Sequence, residues 1–246
     1  MRQCARAMLR VFLILSLSLT LNAVLLLFCY TQHQKNVMCS LFFNFILKSC
    51  GIHVENRMAH YFDTLKTPSL IVSNHVSYLD ILIISSIYPS VFLAKSEVSG
   101  WPVFGWVARS LGCIFVKRDS LMGRANALRK CIKKMKTSSL TIFPEGTTTS
   151  LANPEFQKWT AGHGWIARTL GLRQVICVKL SFENQAERAW TDDISLLPHL
   201  FNTLKQKRVN VTLSGGAAAI AANTHFRHVR HETWLTVVGE NKYAGT

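Results

Sequence analysis

A run of twenty residues without a charge, VFLILSLSLTLNAVLLLFCY at positions 11–30, most constrains what this chain can fold into. A helix of about 20 apolar residues is long enough to cross the roughly 30 Å hydrocarbon layer of a membrane. Arg2, Arg6 and Arg10 precede the run, so a cleaved signal peptide is the alternative, because a basic start and an apolar core are its hallmarks. The run exceeds the usual apolar core of a signal peptide, and no convincing small-x-small cleavage site ends it. The sequence therefore favours a retained membrane helix.

A second apolar segment, VMCSLFFNFIL at positions 37–47, follows the polar break TQHQKN. It is too short to span a bilayer, and it suits a helix that lies in or against one. We therefore predict that residues 1–50 form N-terminal membrane-anchoring helices and that residues 51–246 form the main domain.

Within the main domain, apolar runs bounded by turn residues alternate with helical stretches. The patterns predict strands at 69–72, 91–94, 113–116, 140–143, 175–180 and 209–213, and helices at 78–88, 124–136 and 164–170. A Gly/Ala stretch and a polar tail follow the last strand. This alternation predicts the α/β class, with a mixed sheet flanked by helices and the N-terminal membrane-associated helical segment in front of it.

The net charge of the chain is +15 and its pI is about 9.8. Such a surplus favours a polyanionic partner, either nucleic acid or an anionic membrane surface. The most basic segment, residues 117–136, has no aromatic side chains between its charges, and no nucleic-acid-binding motif accompanies it. We therefore expect no nucleic acid and an anionic membrane surface or a phosphate-bearing partner, although a solvated helix is an equally simple interpretation of this segment.

The seven cysteines are scattered and form no CxxC pair, so neither a zinc site nor a disulfide framework is indicated. A reducing cytoplasm is the simplest setting for them. His225, His228 and His231 are three residues apart, but no cysteine or carboxylate pattern accompanies them, and we predict no metal site.

The stretch IVSNHVSYLD at 71–80 contains His75 and Asp80. Five helical residues turn about 500°, so two side chains at this spacing in one helix would point about 140° apart. They can meet if His75 lies in the turn before the helix, and Ser77-x-x-Asp80 has the S-x-x-[DE] pattern of a helix start, with Ser77 as N-cap. Asp80 then either complements the helix dipole or accepts the Nδ1–H of His75 and leaves Nε2 as a base. The spacing alone leaves both roles open.

Two further segments, GCIFVKR at 112–118 and IFPEGTTTS at 142–150, end in polar residues. The order NH-x₄-D, G-x-I-F-V-x-R, F-P-E-G-T resembles the glycerolipid acyltransferase family, which includes 1-acyl-glycerol-3-phosphate, lyso-ornithine-lipid and lysophospholipid acyltransferases. The match runs from Ser73 to Leu180. The resemblance implies acyl transfer to the hydroxyl of a lysolipid, with acyl-CoA or acyl carrier protein as co-substrate, no cofactor and no covalent enzyme intermediate.

The resemblance also implies roles for seven residues. His75 would take the proton of the acceptor hydroxyl, and Asp80 would support the imidazolium. The acceptor would be bound by Lys95, Arg118, Glu145, Gly146 and Thr147. Alternatively, Lys95 and Arg118 are solvated residues at strand ends, and Glu145 is a structural turn residue.

Thr148 departs from the commonest form of the third motif, FPEGTRS, whose arginine contributes to phosphate binding. A phosphate monoester would find one cation fewer here, although Lys158 could compensate in part. Family members with FPEGTT include lyso-ornithine-lipid and lysophosphatidylcholine-type acyltransferases, so lysophosphatidic acid, lyso-ornithine lipid and other lysophospholipids all stay open as acceptors.

Two other functions compete with acyl transfer, namely a non-catalytic lipid-binding membrane protein and a lipid hydrolase that uses the same histidine. The topology raises a further conflict, because three arginines before the first helix favour a cytoplasmic N-terminus, and one full crossing would then place His75 outside. A second helix that returns from the same leaflet removes this conflict. We therefore predict an enzyme of the inner membrane whose catalytic domain faces the cytoplasm.

Overall fold

The computed structural model describes residues 1–27, 30–63, 68–101, 104–150, 155–191 and 194–239. The helices of these ranges are α1 (Arg2–Leu27), α2 (Gln32–Ser49), α3 (Ala59–Asp63), α4 (Leu79–Ile87), α5 (Phe104–Ser110), α6 (Leu121–Lys134), α7 (Gly162–Thr169), α8 (Gln185–Arg188), α9 (Leu196–Lys205) and α10 (Phe226–Val238). The strands are β1 (Ile52–Asn56), β2 (Leu70–Ser73), β3 (Val91–Lys95), β4 (Ile114–Val116), β5 (Leu140–Ile142), β6 (Gln174–Phe182) and β7 (Val209–Ala219).

The strands form one sheet in the order β1-β7-β6-β2-β5-β3-β4. All neighbours in it are parallel except β6 and β7, which are antiparallel, so the predicted mixed sheet is confirmed. The central strands β2 and β5 are buried at every residue, because a parallel strand covered on both faces reads as a continuous apolar run.

Neighbouring residues of the central strands face opposite layers of helices. Ile71 belongs to the hydrophobic cluster that also contains residues of α1, α2, α4 and α9, whereas Leu70 and Val72 belong to the cluster with residues of α6, α7 and α10. This alternation follows from the two-residue period of a strand. The sheet is therefore flanked by helices on both faces, as the sequence predicts.

Helices α1 and α2 form an antiparallel hairpin. Leu21 and Leu25, near the end of α1, pack with Cys39 and Phe43 in the first two thirds of α2, while the other end of α1 lies beside Gly51 just after α2. Within the described residues, α1 is the one helix long and apolar enough to cross a membrane. It begins nearer the N-terminus than the predicted 11–30, and positions 28 and 29 lie outside the described residues.

The part of the chain after residue 213 differs from the sequence-based prediction. Strand β7 continues through the Gly/Ala stretch because small residues allow close approach to β6: a Cβ on Gly215 would lie 2.1 Å from the carbonyl oxygen of Cys177. The tail then forms α10, which buries Val229, Thr233 and Val237 against the sheet and α7. The tail is polar, as predicted, and its helix was missed because a few apolar positions in a polar segment are enough to bury one helix face.

Candidate active site

The turn after β2 places His75 at the carboxyl end of that strand. Asn74 fastens this turn to β6, because its side-chain oxygen accepts the N–H of Leu180 at 2.8 Å and its amide donates to the carbonyl oxygen of the same residue at 2.9 Å. Both groups are buried. His75 therefore lies in the loop before α4, as predicted, and its position is tied to the central sheet.

Asp80 faces this turn from the first turn of α4. One carboxylate oxygen, Oδ2, accepts three N–H groups: Nδ1 of the His75 ring at 2.8 Å, the backbone of Val76 at 2.6 Å and the backbone of Ser77 at 2.9 Å. The Asp80 side chain is fully buried, and the His75 side chain is 16% exposed. An ionised acceptor fixes the tautomer with hydrogen on Nδ1, which leaves Nε2 as the nitrogen that can accept a proton.

Helix α4 begins at Leu79, but the preceding Tyr78 already has helical dihedral angles and its side chain makes no capping hydrogen bond. The capping contact comes from the predicted residue, because the Ser77 hydroxyl accepts the Leu79 N–H at 3.4 Å. The contact is reciprocal, as in a capping box, because Asp80 in turn accepts the backbone N–H of Ser77 at 2.9 Å. The two roles that the spacing leaves open for Asp80 are thus combined: it satisfies backbone donors at the helix start and holds the histidine ring.

The loop after β5 holds His75 from a second direction. The Phe143 ring stacks on the imidazole with 4.0 Å between ring centroids and 12° between planes. The His75 N–H donates to Oε2 of Glu145 at 3.3 Å, and the Thr149 N–H donates to the His75 carbonyl oxygen at 2.9 Å. Sequence reasoning missed Phe143 and Thr149, although both belong to the third motif. The pairing of β5 with β2 brings the two strand ends together.

Glu145 lies in a protein environment that disfavours its charge. Burial raises the pKa of its carboxyl group to about 8, against hydrogen bonds from the His75 backbone and the Trp159 indole that favour the ionised form. The negative charge of Asp80 raises this pKa further, and Lys158 lowers it. The site therefore favours the protonated form of Glu145, which a solvent-exposed turn would not do.

Arg118 and Gly146 lie against each other. The φ of Gly146 is +76°, a value that favours glycine, and a Cβ there would lie 3.4 Å from Nη1 of Arg118. The missing side chain of Gly146 leaves room for the guanidinium group. The structure thus brings the second and third motifs together, and the third motif itself contacts His75.

Lys95 ends β3 beside the end of β4, because its register partner there is Val116. Its side chain is 53% exposed, and its Nζ lies 3.8 Å from Oε1 of Glu97. Hydrogen bonds from its own backbone N–H and from Ser96 lower the pKa of Glu97, and the charges of Lys95 and Arg118 lower it further. The two predicted cations therefore share one edge of the sheet with a carboxylate that sequence reasoning missed.

The hydroxyl residues of the third motif differ in placement. Thr147 is exposed, whereas Thr148 is buried and its hydroxyl donates to the carbonyl oxygen of Trp190. The Trp190 N–H in turn donates to the carbonyl oxygen of Val76 at 3.0 Å. Thr148 therefore ties the loop after α8 to the His75 turn instead of facing solvent.

An apolar cavity of about 210 Å³ includes His75 in its wall. Most of its other lining side chains are apolar and come from α1, α2, α4, α5 and α9, for example Ile14, Phe43, Leu82, Val107 and Leu200. Tyr78, Trp101 and Trp190 line it too, and the two tryptophan rings meet edge to face at 6.0 Å. The base candidate is thus in contact with a space suited to hydrocarbon.

A larger open groove of about 760 Å³ lies at the outer edge of the sheet, along β1 and β7. His53, Lys48 and Arg208 line it. All seven predicted site residues fall within the described part of the chain, and none of them lines this groove. The smaller cavity at His75 is therefore the candidate active site.

The sequence profile of the acyltransferase family matches residues 50–199, which is more than half of the chain. The chain belongs to the acyltransferase family. The match contains the motifs that carry His75, Arg118 and Glu145, and it leaves α1 and α2 outside.

Among curated proteins, this acyltransferase-family chain is 28% identical to a lyso-ornithine lipid O-acyltransferase of Rhizobium meliloti over 71% of its length, and 33% identical to one of Pseudomonas aeruginosa over 59%. The matched part spans 64% and 57% of those relatives, less than two thirds of each. A 1-acyl-sn-glycerol-3-phosphate acyltransferase of Neisseria gonorrhoeae is 38% identical over 33% of the chain and 32% of its own length.

Among solved structures, the 1-acyl-sn-glycerophosphate acyltransferase PlsC from Thermotoga maritima superposes with a TM-score of 0.67. The superposition covers 100% of both chains at 17% sequence identity. At this identity the likeness shows the fold, and it includes the N-terminal helical hairpin.

Proposed function

We propose that the chain is a lysolipid O-acyltransferase that moves a fatty acyl group from a thioester to a lysolipid hydroxyl. The observation that carries this proposal is the hydrogen-bonded pair of His75 and the buried Asp80, with His75 in the wall of an apolar cavity. A hydrogen-bonded base suits removal of a hydroxyl proton, and the apolar wall suits a fatty chain. Family membership and the names of the relatives support the same reaction class.

In the proposed reaction, Nε2 of His75 takes the proton of the acceptor hydroxyl as the oxygen attacks the thioester carbonyl carbon. The C–O bond forms, the C–S bond breaks, and the thiolate leaves with the proton that His75 returns. Asp80 keeps its charge and stabilises the imidazolium through the Nδ1–H bond. General-base assistance of this kind is typically worth about 10²–10⁴ in rate.

The thioester donor is acyl-CoA or acyl carrier protein in this proposal. We assign the cavity at His75 to the acyl chain, because its lining is mostly apolar and it extends from the base to the N-terminal hairpin. Both donors present phosphate groups, which a chain with a net charge of +15 attracts.

The acceptor headgroup is assigned to the edge formed by Arg118, Lys95 and Gly146. A guanidinium group suits a phosphate or carboxylate. Glu97 offsets part of this positive charge, and Thr148 is turned away toward Trp190. An acceptor with fewer negative charges than a phosphate monoester therefore fits better, such as lyso-ornithine lipid or a zwitterionic lysophospholipid.

The chain is proposed to lie in one leaflet of the membrane without crossing it. At one end of α1, Arg6 donates to the carbonyl oxygen of Lys205 at 2.9 Å, and Arg10 donates to that of Gln206 at 2.6 Å. At its other end, Leu21 and Leu25 pack with residues of α5. A helix attached to the main domain at both ends cannot cross a bilayer that the domain does not enter.

The outer face of α1 gives this arrangement its membrane contact. Exposed apolar side chains recur every three, four or seven residues along the helix at Met8, Phe12, Leu15, Leu19 and Leu26. Such a stripe suits burial at the boundary between headgroups and acyl chains, and the basic main domain gains from an anionic cytoplasmic surface.

Replacing His75 by Ala tests the catalytic proposal. Acyl transfer by the purified protein, measured as diacyl product by mass spectrometry, should fall by about 10² or more with the melting temperature nearly unchanged. The matched control is His53→Ala on the exposed face of β1, which should retain activity. Near-normal transfer by His75→Ala at saturating acceptor would remove His75 from the reaction.

Cysteine labelling tests the membrane arrangement. Single cysteines at Gln3 and at Ala186, both exposed, are introduced into a chain whose native cysteines are serine. With a membrane-impermeant reagent, both positions should stay unlabelled in intact cells and react after permeabilisation. Labelling of position 186 alone in intact cells would mean a true crossing, and labelling of both would place the enzyme outside.

A further inference from the structure

The segment at 156–160, after the third motif, lies directly against Glu145. Within this segment Trp159 is 1% exposed, although it stands between the exposed polar residues Lys158 and Thr160. The indole N–H points at Oε1 of Glu145 at 3.5 Å. The other oxygen of the same carboxyl group, Oε2, accepts the backbone N–H of His75.

The backbone of this segment is fastened on two sides. The Thr160 N–H donates to the carbonyl oxygen of Pro144 at 2.9 Å, so the segment follows the third motif. From α10, Nη1 of Arg230 donates to the carbonyl oxygen of Trp159 at 3.2 Å, and the guanidinium group lies 4.3 Å from the centre of the Phe156 ring. The C-terminal helix therefore contacts the segment that contacts the glutamate.

We propose that Trp159 and Arg230 are positioning residues for the acyl transfer. Trp159 holds the Glu145 carboxyl group against the peptide N–H of His75, and Arg230 holds Trp159 in place from α10. This inference rests on the proposed function, and it gives the C-terminal helix a role in the placement of the base.

The contacts link Trp159 to His75 through the carboxyl group of Glu145. A buried indole N–H requires an acceptor, and here that acceptor is a side-chain carboxyl group with a second contact on the base. A packing role alone would be met by any aromatic ring that touches His163, whose ring lies edge to face at 5.9 Å. The hydrogen bond is the feature that a ring without nitrogen lacks.

The groups around Glu145 determine how its pKa changes when the Trp159 N–H is removed. Asp80 disfavours its ionised form, Lys158 favours it, and Arg118 lies against the next residue, Gly146. The Trp159 indole N–H favours the ionised form too, so its loss raises the pKa of Glu145 beyond about 8. Whichever protonation state of Glu145 the reaction uses, the limb of the pH–rate profile that reports Glu145 moves to higher pH.

Trp159→Phe removes the N–H and keeps most of the ring. We expect kcat to fall by about two- to tenfold, as for the loss of one hydrogen bond, with KM for donor and acceptor within about twofold. The alkaline shift of the pH profile should accompany this loss. The matched control is Trp165→Phe on the partly exposed face of α7, which should change neither kcat nor the profile.

A double-mutant cycle distinguishes positioning from a loss of stability. In the Glu145→Leu background, Trp159→Phe should have a clearly smaller effect on kcat than in the wild type, because leucine offers no oxygen that the indole N–H could hold. Arg230→Met should reproduce the loss of kcat, and Arg227→Met on the same helix should not. Equal effects of Trp159→Phe in both backgrounds, or an unshifted pH profile, would overturn the inference. If the wild-type chain itself transfers no acyl group, the proposed function fails instead.

Discussion

Replacement of Asp80 by Asn separates the structural role of this carboxylate from its role in catalysis. The amide oxygen of Asn can still accept the backbone N–H groups of Val76 and Ser77, so the turn before α4 keeps its donors paired. The negative charge next to Nδ1 of His75 is lost. The substitution therefore nearly preserves the shape of the site but changes its electrostatic potential at His75.

The two consequences differ in size. Hydrogen bonds to a charged acceptor contribute about 1.5–3 kcal/mol and neutral ones about 0.5–1.5 kcal/mol, so the two backbone bonds lose roughly 2 kcal/mol together. Removal of a buried charge offsets part of this loss. Without the carboxylate the imidazolium loses its support, and we expect kcat to fall by about 10²–10⁴, or about 3–5 kcal/mol of transition-state stabilisation.

The assay measures kcat at saturating donor and acceptor below the melting temperature of the variant, with thermal unfolding recorded on the same preparation. A stability of about 5–15 kcal/mol tolerates the predicted loss, so the variant should remain folded. Glu183→Gln, at an exposed carboxylate after β6, is the control for removal of one negative charge. A kcat within tenfold of the wild type would refute the reasoning and leave Asp80 with a structural role only.

Three further predictions concern other parts of the site. Asn74→Ala leaves the buried N–H and C=O of Leu180 unpaired and should destabilise the fold by about 2–6 kcal/mol, measured by urea unfolding; a loss below 1 kcal/mol would contradict it. Arg118→Ala should raise KM for an anionic acceptor more than for a zwitterionic one, and equal effects would remove Arg118 from headgroup binding. The folded-state pKa of Glu145, about 8, lies above its ordinary value of 4.5. Between these two pH values the folded state keeps a proton that the unfolded state releases. The free energy of unfolding therefore falls as the pH rises from 4.5 to about 8. Glu145→Gln should therefore raise the melting temperature more at pH 8 than at pH 5, and an equal gain at both would contradict the assignment.

Much of the candidate site follows from short-range sequence patterns. Strand β2 is an apolar run, and the S-x-x-[DE] pattern places Asp80 in the first turn of the following helix, so the contact between His75 and Asp80 requires only local geometry. The roles of these residues, and of Lys95, Arg118, Glu145, Gly146 and Thr147, stay predictions until the variants are measured.

The missed elements have weak local signals. The five-residue β1, and α5 and α9 at seven and ten residues, are short elements whose periodicity is hard to tell from a loop, and they are stabilised by burial against the sheet and the hairpin. α10 is polar on most of its surface, so its helical conformation depends on the few side chains that α7 and β7 cover.

The sequence by itself determined the α/β class, the apolar N-terminal hairpin segments and the family, because apolar periodicity and motif order are properties of neighbouring residues. Tertiary structure alone decided that Phe143 stacks on the His75 ring, that Glu145 and Thr149 bond its backbone, and that Thr148 faces Trp190. It also decided that α1 lies along the main domain. These contacts join residues about 40 to 200 positions apart, and their partners are chosen by strand order and by burial. No pattern along the chain encodes that choice, because the free energy of such a contact depends on which surfaces the finished sheet brings together.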